Sequence, residues 1–66
     1  MKNRVKEVRL KIYMTQQELA DEIAVSRQTI FAIETGKYIP SAIIVLKIAR
    51  TFKKRVEDIF NLEKGD

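Results

Sequence analysis

Thr15 and Ser26 constrain this chain most, because each marks the start of a helix and little sequence lies between them. Thr15-Gln16-Gln17-Glu18 has the form of a capping box: the Thr15 hydroxyl accepts from the Glu18 amide, and the Glu18 carboxylate reaches back. Met14 before the cap and Leu19 after it make a hydrophobic staple. The pattern recurs at Ser26, with Val25 before the cap and Ile30 one turn into the helix. The first helix is expected to end near Ile23. The second is expected to run from about Arg27 to Thr35, where Gly36 supplies the left-handed residue that a helix end favours. Two short helices joined only by Ala24-Val25-Ser26 cannot lie antiparallel, so they must cross at a steep angle.

The flanking segments also read as helices. Val5, Val8 (or Arg9) and Ile12 recur at helical spacing with Leu10 on the flank, and Arg4, Lys6, Arg9 and Lys11 fill the rest. Val5 to Ile12 is therefore predicted as an amphipathic helix. Pro40 breaks the chain, and Ser41 caps a fourth helix expected to reach about Phe52. Counting about 100° per residue puts Ala42, Val45, Leu46, Ile48, Ala49 and Phe52 on its buried stripe, Ile43 on its polar side and Ile44 at the edge. A fifth, short helix is expected over Val56 to Phe60, with Val56, Ile59 and Phe60 inward. Lys53-Lys54-Arg55 precedes it with neither a glycine nor a usual N-cap residue. The tail from Asn61 is polar apart from Leu62, and is either frayed or a short strand. With only two glycines and one proline, the expected fold is all-α: five helices in one domain over residues 1–66, with a short terminal β ribbon as the variant.

A chain of 66 residues with neither Cys nor His has no disulfide and no thiolate or imidazole zinc site to staple it. A domain near this size buries only about 60% of its unfolded surface, so tight packing or a partner subunit must supply stability. Ile43, Ile44 and Leu62 are the candidate dimer contacts, within a dimerisation region of about 41–62. No apolar run approaches the roughly 20 residues needed to span a bilayer. No apolar core follows the basic Met1-Lys2-Asn3-Arg4, which points to a cytoplasmic protein without a secretory signal. Asp21-Glu22 and Glu57-Asp58 are adjacent carboxylates; on a helix such neighbours diverge by about 100° and form no acid–base dyad. Without a phosphate-binding glycine loop or convergent carboxylates, the chain is expected to be no enzyme and to carry no metal or cofactor.

Thirteen basic and nine acidic residues give a net charge of +4 and a pI near 9.6. That suits a nucleic-acid-binding domain, although surplus lysine serves solubility equally well. The steep helix pair gives the charge a use. In such a pair the first helix lies across the phosphate backbone, and the second sets its N-terminal residues at base edges in the major groove. With Ile30 and Ile33 inward, Arg27, Gln28, Phe31 and Ala32 face outward. Arg bonds bidentately to guanine and Gln to adenine, while Phe31 and Ala32 suit thymine methyls. Phe31 fits the rim of the core equally well as a partly buried aromatic. Nothing acidic precedes Glu34 on this face.

The segment TQQELADEIAVSRQTIFAIETGKYIPS, followed by LKIAR and VEDIF, resembles the Cro/repressor (XRE) helix-turn-helix family, and the likeness extends from Arg4 to Phe60. The resemblance implies a five-helix lambda-repressor-like domain with its helix-turn-helix at about 16–35. It also implies a small stand-alone regulator of transcription that binds double-stranded DNA as a homodimer, most simply a repressor reading an inverted repeat. It implies base reading by Arg27, Gln28 and Ala32. Thr29 would touch phosphate or a base edge, Gln16 would bond phosphate, and Lys37 and Tyr38 would grip the backbone. Ser26, at the positive end of the reading helix, joins the backbone-contacting set. Glu34 matches a structural position whose carboxylate bonds within the domain. Ala24 stands where the family commonly has glycine, at a position that often needs positive φ, and Phe31 stands where a small or polar residue is usual. A protein-interaction module, such as an antitoxin, is the second reading, and it rests on Ile43 and Ile44.

Overall fold

In the computed structural model, which describes residues 1–66, a two-residue strand β1 (Lys2–Asn3) leads into α1 (Val5–Lys11). Then follow α2 (Gln16–Ile23), α3 (Arg27–Glu34), α4 (Ala42–Phe52), α5 (Val56–Ile59) and a second short strand, β2 (Phe60–Asn61). The caps begin the helices where their chemistry requires. The Glu18 amide donates to Thr15 Oγ1 at 3.0 Å, and the Thr15 amide donates to Glu18 Oε1 at 2.8 Å, closing the capping box. Ser26 Oγ accepts from the Thr29 amide at 3.1 Å, and Ser41 Oγ from the Ile44 amide at 3.4 Å. At α5, where no usual cap residue stands, Asp58 Oδ2 accepts from the Arg55 amide at 3.3 Å.

Four helices end in the same way. Met14, Val25, Lys37 and Lys54 each donate their amide to a carbonyl five residues back, on Arg9, Ala20, Ala32 and Ala49. The residue before each donor is left-handed, as this helix-ending motif demands. Only one of these residues is glycine, Gly36 at φ 77°; the others are Tyr13 at 56°, Ala24 at 59° and Lys53 at 55°. A residue with a Cβ pays about 1–2 kcal/mol for this conformation, so packing on either side of each turn must hold it there.

The core draws on every helix: Val5, Leu19, Ile30, Ile33, Ile48 and Ile59 are fully buried, with Val8, Ala20, Ile23, Ala49, Phe52 and Phe60 around them. Three expectations are corrected. On α4 the buried stripe is Ile48, Ala49 and Phe52, flanked by half-buried Ile44 and Val45, whereas Ala42 and Leu46 are exposed. Ile12 is exposed, because α1 stops at Lys11 and Tyr13 turns the chain away, and Arg9 takes the inward place instead. Helix α5 ends at Ile59; Phe60 keeps its inward place, but as part of β2. The tail thus forms a ribbon, with Lys2 opposite Asn61 and Asn3 opposite Phe60 in antiparallel register. Beside the ribbon, the Met1 α-ammonium lies 3.1 Å from Asp66 Oδ2 and 3.5 Å from Glu63 Oε1. The hydrogen bond to Asp66 raises the ammonium pKa above its ordinary value, and the hydrogen bond from the Glu63 amide lowers that of Asp66. No helix is long and apolar enough to cross a membrane.

Candidate nucleic-acid interface

Helix α3 is fixed at its inner end by a buried ion pair. Arg9 Nε meets Glu34 Oε2 at 2.7 Å, and Arg9 Nη2 meets Oε1 at 3.2 Å. The third arm of the guanidinium donates to the Met14 carbonyl at 2.8 Å, and Gln16 Nε2 donates to Glu34 Oε1 at 3.0 Å. The Arg9 and Glu34 side chains are only 7% and 2% exposed, and no buried side-chain polar atom lacks a partner. A buried pair gains little net stability over an apolar pair of the same shape, but separating its partners leaves a buried charge uncompensated. Here those partners lie on α1, on the turn before α2, on α2 and on α3. Glu34 therefore bonds inside the domain, as the resemblance implied. Arg9 was not singled out in the sequence; the one signal was its place beside Val8 on the helical spacing from Val5.

The other end of α3 is free. Arg27, Gln28 and Phe31 are exposed on one outer face, with Ala32 half-buried a turn further along. Phe31 is 48% exposed, outside the core rim. The Ser26 and Thr29 hydroxyls bond each other at 2.9 Å at the N-terminus of α3; one hydroxyl proton serves that bond and the other is left to donate outward. Gln28, Thr29, Ala32 and Tyr38 line one shallow groove, so the loop after α3 lies beside the outer side of that helix. Lys37 is exposed next to it. A second groove contains Gln16, Gln17 and Arg27, which brings the start of α2 and the start of α3 to one surface. Arg27 and Lys37 make no ion pair within the chain. Most basic residues here are unpaired, so position, at the start of α3 for Arg27 and in the loop after it for Lys37, distinguishes these two.

The helix-turn-helix family HTH_3 matches residues 5–59, nearly all of this architecture. This chain belongs to that family. It is a Cro/repressor-like member among helix-turn-helix transcriptional regulators, and it matches small relatives along nearly their whole length. It is 51% identical over 66 residues to the uncharacterized HTH-type transcriptional regulator MJ0272 of Methanocaldococcus jannaschii, with both chains covered completely. It is 52% identical to an HTH-type transcriptional regulator of Archaeoglobus fulgidus, covering 100% of this chain and 93% of that one. With YgzD of Bacillus subtilis, another HTH-type regulator, identity is 45% over 64 residues and 97% of each chain. Among solved structures, the restriction-modification controller protein C.AhdI from Aeromonas hydrophila superposes with a TM-score of 0.81 over 86% of each chain, at 24% identity. That likeness supports the five-helix lambda-repressor-like fold.

The expected dimer contacts are placed unevenly. Ile43 is 66% exposed and Leu62 is 81% exposed, but Ile44 is half-buried against the core. Leu46, expected inside, is 61% exposed and lines a surface groove with Ile43, Lys47 and Arg50. The outward apolar pair on α4 is therefore Ile43 and Leu46.

Proposed function

We propose that this family member is a sequence-specific double-stranded DNA-binding regulator that works as a homodimer, most simply as a repressor. The observation that carries the reading is the exposed N-terminal face of α3, whose opposite end is locked by Arg9, Gln16 and Glu34. Arg27 and Gln28 supply the bidentate donors for guanine and adenine, and Phe31 and Ala32 supply apolar contact for thymine methyls. Gln16, Ser26, Thr29, Lys37 and Tyr38 contact phosphate and set the register. The Gln16 amide already gives one N–H to Glu34, so its other N–H or its backbone amide meets the phosphate. Ile43, Leu46 and Leu62 form the apolar surface for a second copy. A two-fold dimer sets two α3 helices about 34 Å apart, so the operator is an inverted repeat.

The test is a selection of bound sequences from random duplex DNA, followed by titration of the winner at two salt concentrations. An inverted repeat with half-sites one turn apart, bound far more weakly at the higher salt, is the expected result. Weak salt-sensitive binding with no enriched sequence would reject base reading. The second reading, a module that binds another protein as an antitoxin does, draws on the exposed Ile43–Leu46 pair. It predicts a stable hetero-complex that forms without DNA.

A further inference from the structure

Asn3 lies in β1, outside every segment given a DNA contact above, yet its side chain reaches α3. Asn3 Nδ2 donates to the Ile33 carbonyl at 2.9 Å, and Asn3 Oδ1 accepts from the Val5 amide at 3.1 Å. Its backbone pairs with Phe60 in the ribbon, and the next amide, that of Arg4, donates to the Ile59 carbonyl at 2.8 Å. One half-buried residue therefore joins the start of α1, the end of α5 and the last turn of α3. The Ile33 carbonyl belongs to the helix end, where regular partners run out. The Lys37 amide, which would be its helical donor, turns to Ala32, and Gly36 and Asn3 serve Ile33 in its place.

We propose that Asn3 is a positioning residue for DNA reading. It ties the exit end of α3, and the Lys37–Tyr38 loop that leaves it, to the terminal ribbon. In doing so it sets the angle at which Arg27 and Gln28 meet the base edges. The proposal rests on α3 being the reading helix. Two neighbouring residues of α3 are then held from different directions: Ile33 by Asn3, and Glu34 by Arg9 and Gln16. The reading end is held by the short turn from α2 and by buried Ile30, with no side-chain hydrogen bond from Arg27 or Gln28 to another element. A helix of eight residues is about 12 Å long, so a small tilt at the tethered end displaces the far end. Recognition groups work only when held to within about 0.5 Å and 10–20°.

The test uses two uncharged variants of the intact chain. Asn3→Ser keeps a short acceptor for the Val5 amide but cannot reach Ile33, and Asn3→Ala loses both bonds. Each is titrated, well below its melting temperature, against the inverted-repeat duplex recovered by selection and against a scrambled duplex of the same length. Both variants should bind the selected duplex about three- to tenfold more weakly, the equivalent of one net hydrogen bond, with scrambled binding unchanged. Both should also exchange the Gly36, Lys37 and Tyr38 amides faster in the absence of DNA. Weakening on both duplexes in parallel, or in Asn3→Ala alone, would mean that Asn3 only caps α1, and would overturn the proposal. A preferred duplex bound equally well by all three proteins overturns it too. A selection that enriches nothing removes the DNA-reading assignment, and this proposal with it.

Discussion

The pair α2–α3 and the pair α4–α5 finish their surfaces in opposite ways. In α2–α3 the polar side chains with structural work are satisfied inside the domain: Glu34 is held by Arg9 and Gln16, and the caps at Thr15 and Ser26 are closed. What remains outside is a row of side chains suited to base edges. In α4–α5 the charged residues point to solvent, and the apolar residues Ile43 and Leu46 remain uncovered beside Lys47 and Arg50. One half closes its polar contacts within the single chain and leaves a polar outer face, whereas the other leaves an apolar surface uncovered. On the proposed function, a chain this small divides the work, with a locked helix pair for DNA and an apolar face for the partner subunit that a marginal core calls for.

Removing Glu34 tests the first half most severely. Glu34→Ala strands the buried Arg9 guanidinium and should cost about 3–5 kcal/mol, enough to unfold much of a domain this small, as read by thermal melting. The double variant Arg9→Met with Glu34→Leu should recover most of that loss. If the single variant melts like the parent, the inner lock on α3 is not what holds the helix pair together. Arg27→Ala should leave melting unchanged, cost about 1–3 kcal/mol on the selected operator and relax preference at one base pair. Equal binding of operator and scrambled DNA before and after the change would remove Arg27 from the reading set.

Two smaller changes sharpen the contrast. Leu46→Ser alters an exposed position, so the monomer should be unharmed. Subunit association, followed by sedimentation against concentration, should weaken by about 1–2 kcal/mol. A monomer in both proteins would leave the apolar surface for a different partner. Ala24→Gly relieves a left-handed residue in the turn between α2 and α3 and should raise stability by about 1 kcal/mol or less, because glycine also gains freedom in the unfolded chain. A fall in melting temperature would show that the Ala24 methyl contributes packing that outweighs its strain.

Much of the helix pair was legible in the sequence because caps are local chemistry. Thr15 with Glu18, and Ser26 with the Thr29 amide, require only residues within one turn. Likewise Ala24, standing in a position that wants positive φ, proved left-handed. The fold class was legible from the helical spacing and the resemblance together. The inward place of Arg9 was not, since its partner Glu34 lies 25 positions away and pairing at that range leaves no periodic trace. Leu46 misled because a helical wheel gives relative angles but not which arc the neighbours cover. Leu46 sits about 200° from both Ile44 and Ile48, and the core lies on their side. The ribbon was open from the start, as two-residue strands are too short to show alternation. The proposed DNA contacts rest on the helix pair's geometry and the family likeness, because exposure and free charge are shared by most basic residues of the chain.

The ribbon joins Lys2 to Asn61, residues nearly the whole chain apart, with only two residues on each side. Closing so long a loop is entropically costly, and so few pairings return little until the helices have docked. The ribbon should therefore form after the folding transition state and open before the helices do, with substitutions at Asn3 or Phe60 speeding unfolding and leaving the folding rate nearly unchanged. On the proposed role of Asn3, the opening rate of two short strands then sets how long the exit of α3 stays tethered.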